Sequence, residues 1–157
     1  MSPSSASPQD LDRVAAGLAA CLPALVRAME RQVDRDYPHD KPSEAQLALL
    51  RHVDTHDGVT VRSAAEALLM KPNNVSALVR QLTEQGLLER RQDAVDKRIA
   101  HLHLTPAARQ RVAEVTRLMG AHVADALRAL TDGERDALGS AVGALTSLER
   151  QLHLTAR

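Results

Sequence analysis

The chain has 157 residues, 44% of them hydrophobic and 25% charged, with 20 Lys and Arg balancing 20 Asp and Glu. That length suits one domain, or one core with extensions that pack on a second copy. A formal net charge of zero excludes a global electrostatic pull towards nucleic acid or membrane, so any such contact must come from local patches.

With one Tyr and neither Phe nor Trp, the core has to be built from Leu, Val, Ala and Met, which favours helices. No apolar run approaches the roughly 18 residues of a membrane span. The opening "MSPSSASPQD" lacks the basic and apolar parts of a signal peptide, so a cytoplasmic protein without membrane contact is expected. The single Cys21 excludes an intramolecular disulfide framework.

Residues 1–9 are rich in Ser and Pro and are expected to be disordered. Over 10–37, Leu11, Val14, Leu18, Leu22, Leu25 and Met29 recur every three or four positions, which predicts an amphipathic helix that Pro23 should kink. After the loop "DYPHDKP", Ser43 to Gln46 has the pattern of a capping box and opens a helix carrying Leu47, Leu50 and Val53.

Thr60 is placed to cap a short helix, "VRSAAEALLM". Pro72 starts the next, and Gly86 stands where a left-handed cap would end it. Leu87–Arg91 and Arg98–Leu104 then read as two strands around a charged tip, with Leu102 and Leu104 on one face and His101 and His103 on the other. Pro106 opens a long helix whose apolar positions run from Val112 to Leu130, and "TDGE" at 131–134 is a second capping box before Leu138, Val142, Leu145, Leu148 and Leu152.

The expected fold is therefore mostly α with a small β-hairpin. Residues 43–105 form a winged helix-turn-helix lobe. The helix over 10–37 and the helices over 106–154 form a dimerisation domain drawn from both chain ends, their apolar stripes being too long for one small lobe to bury.

In the helix from Pro72 to Gln85, Val75, Leu78, Val79 and Leu82 share the inward face, leaving Asn73, Asn74, Ser76, Ala77, Arg80 and Gln81 outside. Asn pairs bidentately with adenine, Arg with guanine, and Ala touches a thymine methyl, so this face suits a major groove. Between Lys71 and Arg98 there are six basic residues, including Arg90, Arg91, Lys97 and Arg98, against four acidic ones. The local excess of two is modest and doubles in a dimer. At the tip, Asp96 stands two residues from Arg98, close enough to hold a guanidinium suited to a narrow minor groove.

The segment "TVRSAAEALLMKPNNVSALVRQLTEQGLLERR", followed by "DAVDKRIAHLHLTP", resembles the MarR family of transcriptional regulators. The family pattern V-S-x-L-V-x-x-L-x-x-x-G-L-x-x-R falls on Val75 to Arg90, its wing D-x-R on Asp96 and Arg98, and its L-T-P on Leu104 to Pro106. The chain departs from that pattern at Leu69, where a turn Gly is usual, at Lys71 for a capping Ser, and at Ala108 for a Gly. The resemblance implies a homodimer on a pseudo-palindromic double-stranded DNA operator, usually a repressor released by a small-molecule effector, with Arg98 in the groove and Asp96 orienting it. It places an effector site near the helix of His52. With few aromatics such a pocket would be aliphatic, with His52 or Tyr37 at its edge.

Some members of the family sense organic peroxides through a Cys in the first helix. Here "AACLPAL" offers Cys21 no polar partner to activate the thiol, and a buried packing residue is expected. His52 with His56, and His101 with His103, lack the further ligands a metal site needs and read as surface histidines, so no metal or cofactor is expected. No nucleophile elbow, phosphate-binding loop, dinucleotide fingerprint or zinc-protease motif is present, which argues against an enzyme. A winged-helix module that binds protein instead of DNA is the remaining alternative. It would need neither Arg98 on the wing nor two Asn and an Arg on an exposed helix.

Overall fold

The Ser43 hydroxyl accepts the Gln46 amide while the Gln46 side chain accepts the Ser43 amide, the reciprocal capping the sequence predicts. Similar local chemistry sets each boundary in this computed structural model, which describes residues 7–38 and 40–155. Helix α1 spans Pro8–Asp36, α2 Glu44–Thr55, α3 Val61–Ala67, α4 Pro72–Glu84, α5 Pro106–Arg128 and α6 Asp132–Thr155. Strands β1 (Val59–Thr60), β2 (Leu88–Gln92) and β3 (Ala100–Leu104) form an antiparallel sheet in the order β1-β3-β2.

Several sequence expectations change here. Residues 1–6 of the segment expected to be disordered lie outside the described residues, and α1 already begins at Pro8. Pro23 sits inside α1, which continues through it. The hairpin gains a third strand, β1, whose Val59 and Thr60 pair with Leu102 and His101. Arg98 and Ile99 belong to the tip, because β3 begins only at Ala100, opposite Gln92.

Apolar burial concentrates in the lobe between α2 and the start of α5. Leu49, Leu50, Val53, Val75, Val79, Leu82, Leu87 and Leu102 are almost wholly removed from solvent. Each such Leu contributes about 1.5–3 kcal/mol relative to an exposed one. Leu78, expected inside with them, is half-buried at the rim. A second, smaller cluster joins Val33 and Tyr37 of the α1 end to Leu47 and Val115, seating α1 on α2 and α5.

Two contacts fix the lobe's ends. Gly86 takes the left-handed conformation, φ 70°, that turns the chain from α4 into β2. The Thr105 hydroxyl accepts the Ala108 amide to cap α5 and donates to the Gly86 carbonyl 2.9 Å away.

The terminal helices differ from the lobe. Leu11, Val14, Leu22, Leu25, Leu138, Val142, Leu145, Leu148 and Leu152 are all exposed, and α6 buries none of its residues against the other described residues. Cys21, expected to be buried, is also exposed, because the stripe it borders has no cover among the described residues. Among the described residues, no helix is long and apolar enough to cross a membrane.

Candidate nucleic-acid interface

Helix α4 begins at Pro72, whose missing amide costs nothing at a first helical position. Its buried face, Val75, Val79 and Leu82, docks on the core and thereby sets the opposite face. Asn73, Asn74, Ser76, Arg80 and Gln81 are exposed on that face, and Ala77 is half-buried. The Gln81 side chain also accepts a long hydrogen bond from Gln46 of α2, at 3.4 Å. The residues expected to read base edges are thus grouped on the first three turns of one helix, at the end where the sequence placed them.

The preceding turn holds the one non-glycine residue with positive φ among those described, Leu69 at 53°. This is the position where a Gly was the usual residue, and the left-handed geometry accounts for that preference. Met70 returns its amide to the Ala65 carbonyl, so α3 ends in a tight turn despite the missing Gly.

The wing tip, residues 93–99, is built by two carboxylates. Asp93 Oδ1 accepts the amides of Val95 and Asp96 at 2.8 and 2.9 Å. Asp96 Oδ1 accepts the Arg98 amide at 3.0 Å and Arg98 Nε at 3.1 Å, and Oδ2 accepts Nη2 at 3.3 Å. These bonds from Arg98 hold the Asp96 carboxyl below the usual carboxylate range. The Arg98 side chain remains 92% exposed, so the pair fixes its direction without burying its charge. Lys97 beside it is exposed as well.

Arg90 and Arg91 part company. Strand alternation puts them on opposite faces of β2, where Arg90 lies opposite Leu102 and Arg91 opposite His101. Arg91 is also tied to Glu89 at 2.9 Å, so its charge is partly committed within the strand.

His101 and His103, expected as plain surface histidines, are half-buried and paired. His101 Nδ1 is 2.6 Å from the Gly58 carbonyl and Nε2 is 3.0 Å from Asp93 Oδ2. His103 Nδ1 is 3.0 Å from Asp57 Oδ1. Sequence reasoning missed Asp93, Asp57 and Gly58 as partners; the signal available was a D-x-x-D spacing at the tip.

The two residues expected beside an effector are not brought together. Tyr37 lines a cleft of about 710 Å³ with Asp40, Lys41, Gln46, Gln85 and Arg111, between the α1–α2 loop and the lobe. Burial raises the Tyr37 phenol above its ordinary value, the Arg111 cation opposing it. His52 does not line this cleft. Its ring stacks on His56 with centroids 4.6 Å apart, and its buried Nε2 has no hydrogen-bond partner among the described residues. Burial, then the neighbouring His56, lowers its pKa. The cleft lining is also more polar than the aliphatic pocket expected. Among the described residues, no group of three or more His, Cys, Asp or Glu is arranged to hold a metal ion.

Comparison with known proteins agrees with this geometry. A sequence model of the MarR family matches residues 42–99, the stretch from the start of α2 to the wing tip. A Thauera aromatica protein, named as a transcriptional regulator for the hcr operon, is 29% identical over 103 residues. That match spans 66% of this chain and 60% of the relative's length. A transcriptional regulator of Pseudomonas aeruginosa has a similar structure, with a TM-score of 0.73 and 26% identity over 92% of this chain and 98% of its own. Streptococcus pneumoniae FabT, solved in complex with DNA, shares the fold with a TM-score of 0.71 at 20% identity, over 91% of this chain and 99% of its own.

Proposed function

We propose that the chain is a MarR-type transcriptional regulator that binds double-stranded DNA in a sequence-specific way, in keeping with the MarR family model that matches residues 42–99. One observation carries the proposal: an exposed guanidinium, Arg98, is aimed by Asp96 at the tip of a wing beside a helix whose outer face carries Asn73, Asn74 and Arg80. In this scheme α4 enters the major groove and its outward side chains meet base edges. Arg98 enters the adjacent minor groove, where the negative potential is strongest. Lys97 and Arg90 contact phosphates, which supplies sequence-independent affinity.

The uncovered stripes of α1 and α6 support a two-fold homodimer, in which two recognition helices meet a pseudo-palindromic operator. A cytoplasmic repressor is the form of regulation proposed, released when a small molecule enters the cleft at Tyr37 and alters the spacing of the two lobes. Lys41 is already paired with Asp34 at 2.6 Å, which leaves Arg111 as the cation to meet an anionic group on such a ligand.

Mobility-shift titration against a pool of genomic fragments tests the central part. Retarded fragments whose binding unrelated DNA displaces only poorly are expected. Equal binding to all DNA, or none at modest salt, would contradict it and favour a winged-helix module for protein partners.

A further inference from the structure

We propose that His101 and Asp93 are positioning residues for the wing, with His101 working as the imidazolium that ties the sheet to the tip presenting Arg98. The proposal rests on the DNA-binding function above and concerns residues outside the DNA-facing set.

His101 lies on the central strand β3, opposite Thr60 of β1 and Arg91 of β2. Its two ring nitrogens meet two oxygens, the Gly58 carbonyl at 2.6 Å and Asp93 Oδ2 at 3.0 Å. Neither oxygen carries a hydrogen when Asp93 is ionised, and a neutral imidazole has a single N–H. One of the two contacts would then set a lone pair against a lone pair. Only the doubly protonated ring donates to both.

The bonds continue outward from there. Asp93 uses its other oxygen to hold the amides of Val95 and Asp96, and Asp96 holds Arg98. A connected path therefore runs from Gly58 through His101, Asp93 and Asp96 to the guanidinium.

The surrounding charges permit the cation. Arg91 on β2 lies opposite His101, but Glu89 on the same strand face engages it. His103, two residues along β3, is engaged by Asp57 from the turn before β1. Gly58 and Thr60 present no charge, which leaves the Asp93 carboxylate as the nearest charged partner. In agreement, the bonds to Asp93 and then to Gly58 raise the His101 pKa above its ordinary value. The Asp96 amide, then His101 and the Val95 amide, lower Asp93 to about 2.

The sign follows. His101 is charged, and the tie intact, at and below the ordinary imidazole pKa. The tie is lost as pH rises through the raised value, while Asp93 stays ionised throughout that range.

The test measures binding from pH 6 to 9 at fixed ionic strength, on a duplex selected by the parent protein at pH 6.5 from a randomised double-stranded pool. Parent affinity should fall across the range, by roughly tenfold, as the tie is lost. Asp93→Asn should bind with a nearly flat profile, because its carbonyl still accepts both tip amides while its NH₂ donates to a neutral His101. Arg98→Ala should bind weakly and also lose the pH dependence, since His101 acts only through the guanidinium. In the free parent, nitrogen chemical shifts should show His101 doubly protonated at pH 6.5.

A parent-like pH profile in Asp93→Asn or in Arg98→Ala would overturn the positioning role, the latter by indicating direct attraction of phosphate to His101. So would a neutral His101 at pH 6.5. Failure of the pool to yield any duplex is a separate outcome, which overturns DNA binding itself and the positioning role with it.

Discussion

Arg98 turns back on Asp96, with Nε 3.1 Å from Oδ1 and Nη2 3.3 Å from Oδ2, yet keeps its side chain 92% exposed. An exposed pair of this kind adds little to stability, where values of about 0–1 kcal/mol are usual. Its consequence is geometric. One cation is held in one direction at a tip that contributes nothing to the core.

Thr105 joins two elements that the wing needs in register. Its hydroxyl caps α5 at Ala108 and donates to the Gly86 carbonyl at the end of α4. Thr105→Val keeps the shape and loses both bonds, which should cost about 1–2 kcal/mol in denaturant unfolding. Thr105→Ser should restore most of that stability.

Leu69 occupies a left-handed position, φ 53°, in the turn between α3 and α4. A β-branched side chain tolerates this backbone worst, so Leu69→Val should destabilise the protein by about 1–2 kcal/mol. Leu69→Gly relieves the strain and should be the milder substitution in the same urea titration, even though it removes a side chain that borders Leu22, Leu145 and Leu148. Equal losses for the two would mean that packing, not backbone conformation, governs the position.

Most of the fold was legible in the sequence because its signals are local. Ser43 with Gln46, Thr60, Pro72, Gly86, and Thr131 with Glu134 each act within a few residues, and each stands at the boundary expected of it. Strand β1 was missed because two residues carry no period. The partners of His101 and His103 were missed because Gly58 and Asp57 lie 43 and 46 residues away, a separation closed only by the pairing of β1 with β3. Asp93 was counted as a charge, since its role depends on where the Val95 and Asp96 amides point. Cys21 was placed in a core that a single chain does not form.

The stripes on the terminal helices lead to an assembly test. Leu145 and Leu148, each 38% exposed, line a groove with Leu22 and Leu152. If a second copy covers this surface, Leu148→Glu should shift sedimentation from dimer towards monomer or unfolded chain and lower DNA affinity by at least tenfold, since two linked half-sites become one. A parent protein that sediments as a monomer while binding DNA tightly would contradict the dimer.

The most direct test of DNA binding through the wing is a set of isotherms at several salt concentrations for the parent, Arg98→Ala, Asp96→Ala and the double variant. Arg98→Ala should weaken binding and reduce the slope of log affinity against log salt by about one counterion per subunit. Asp96→Ala should weaken binding with little change of slope, because the cation remains but is no longer aimed. The double variant should lose little beyond Arg98→Ala, as expected when one residue acts only through the other. The base preference proposed for Asn73, Asn74 and Arg80 should survive all three changes. Parent-like affinity and slope for Arg98→Ala would contradict the account.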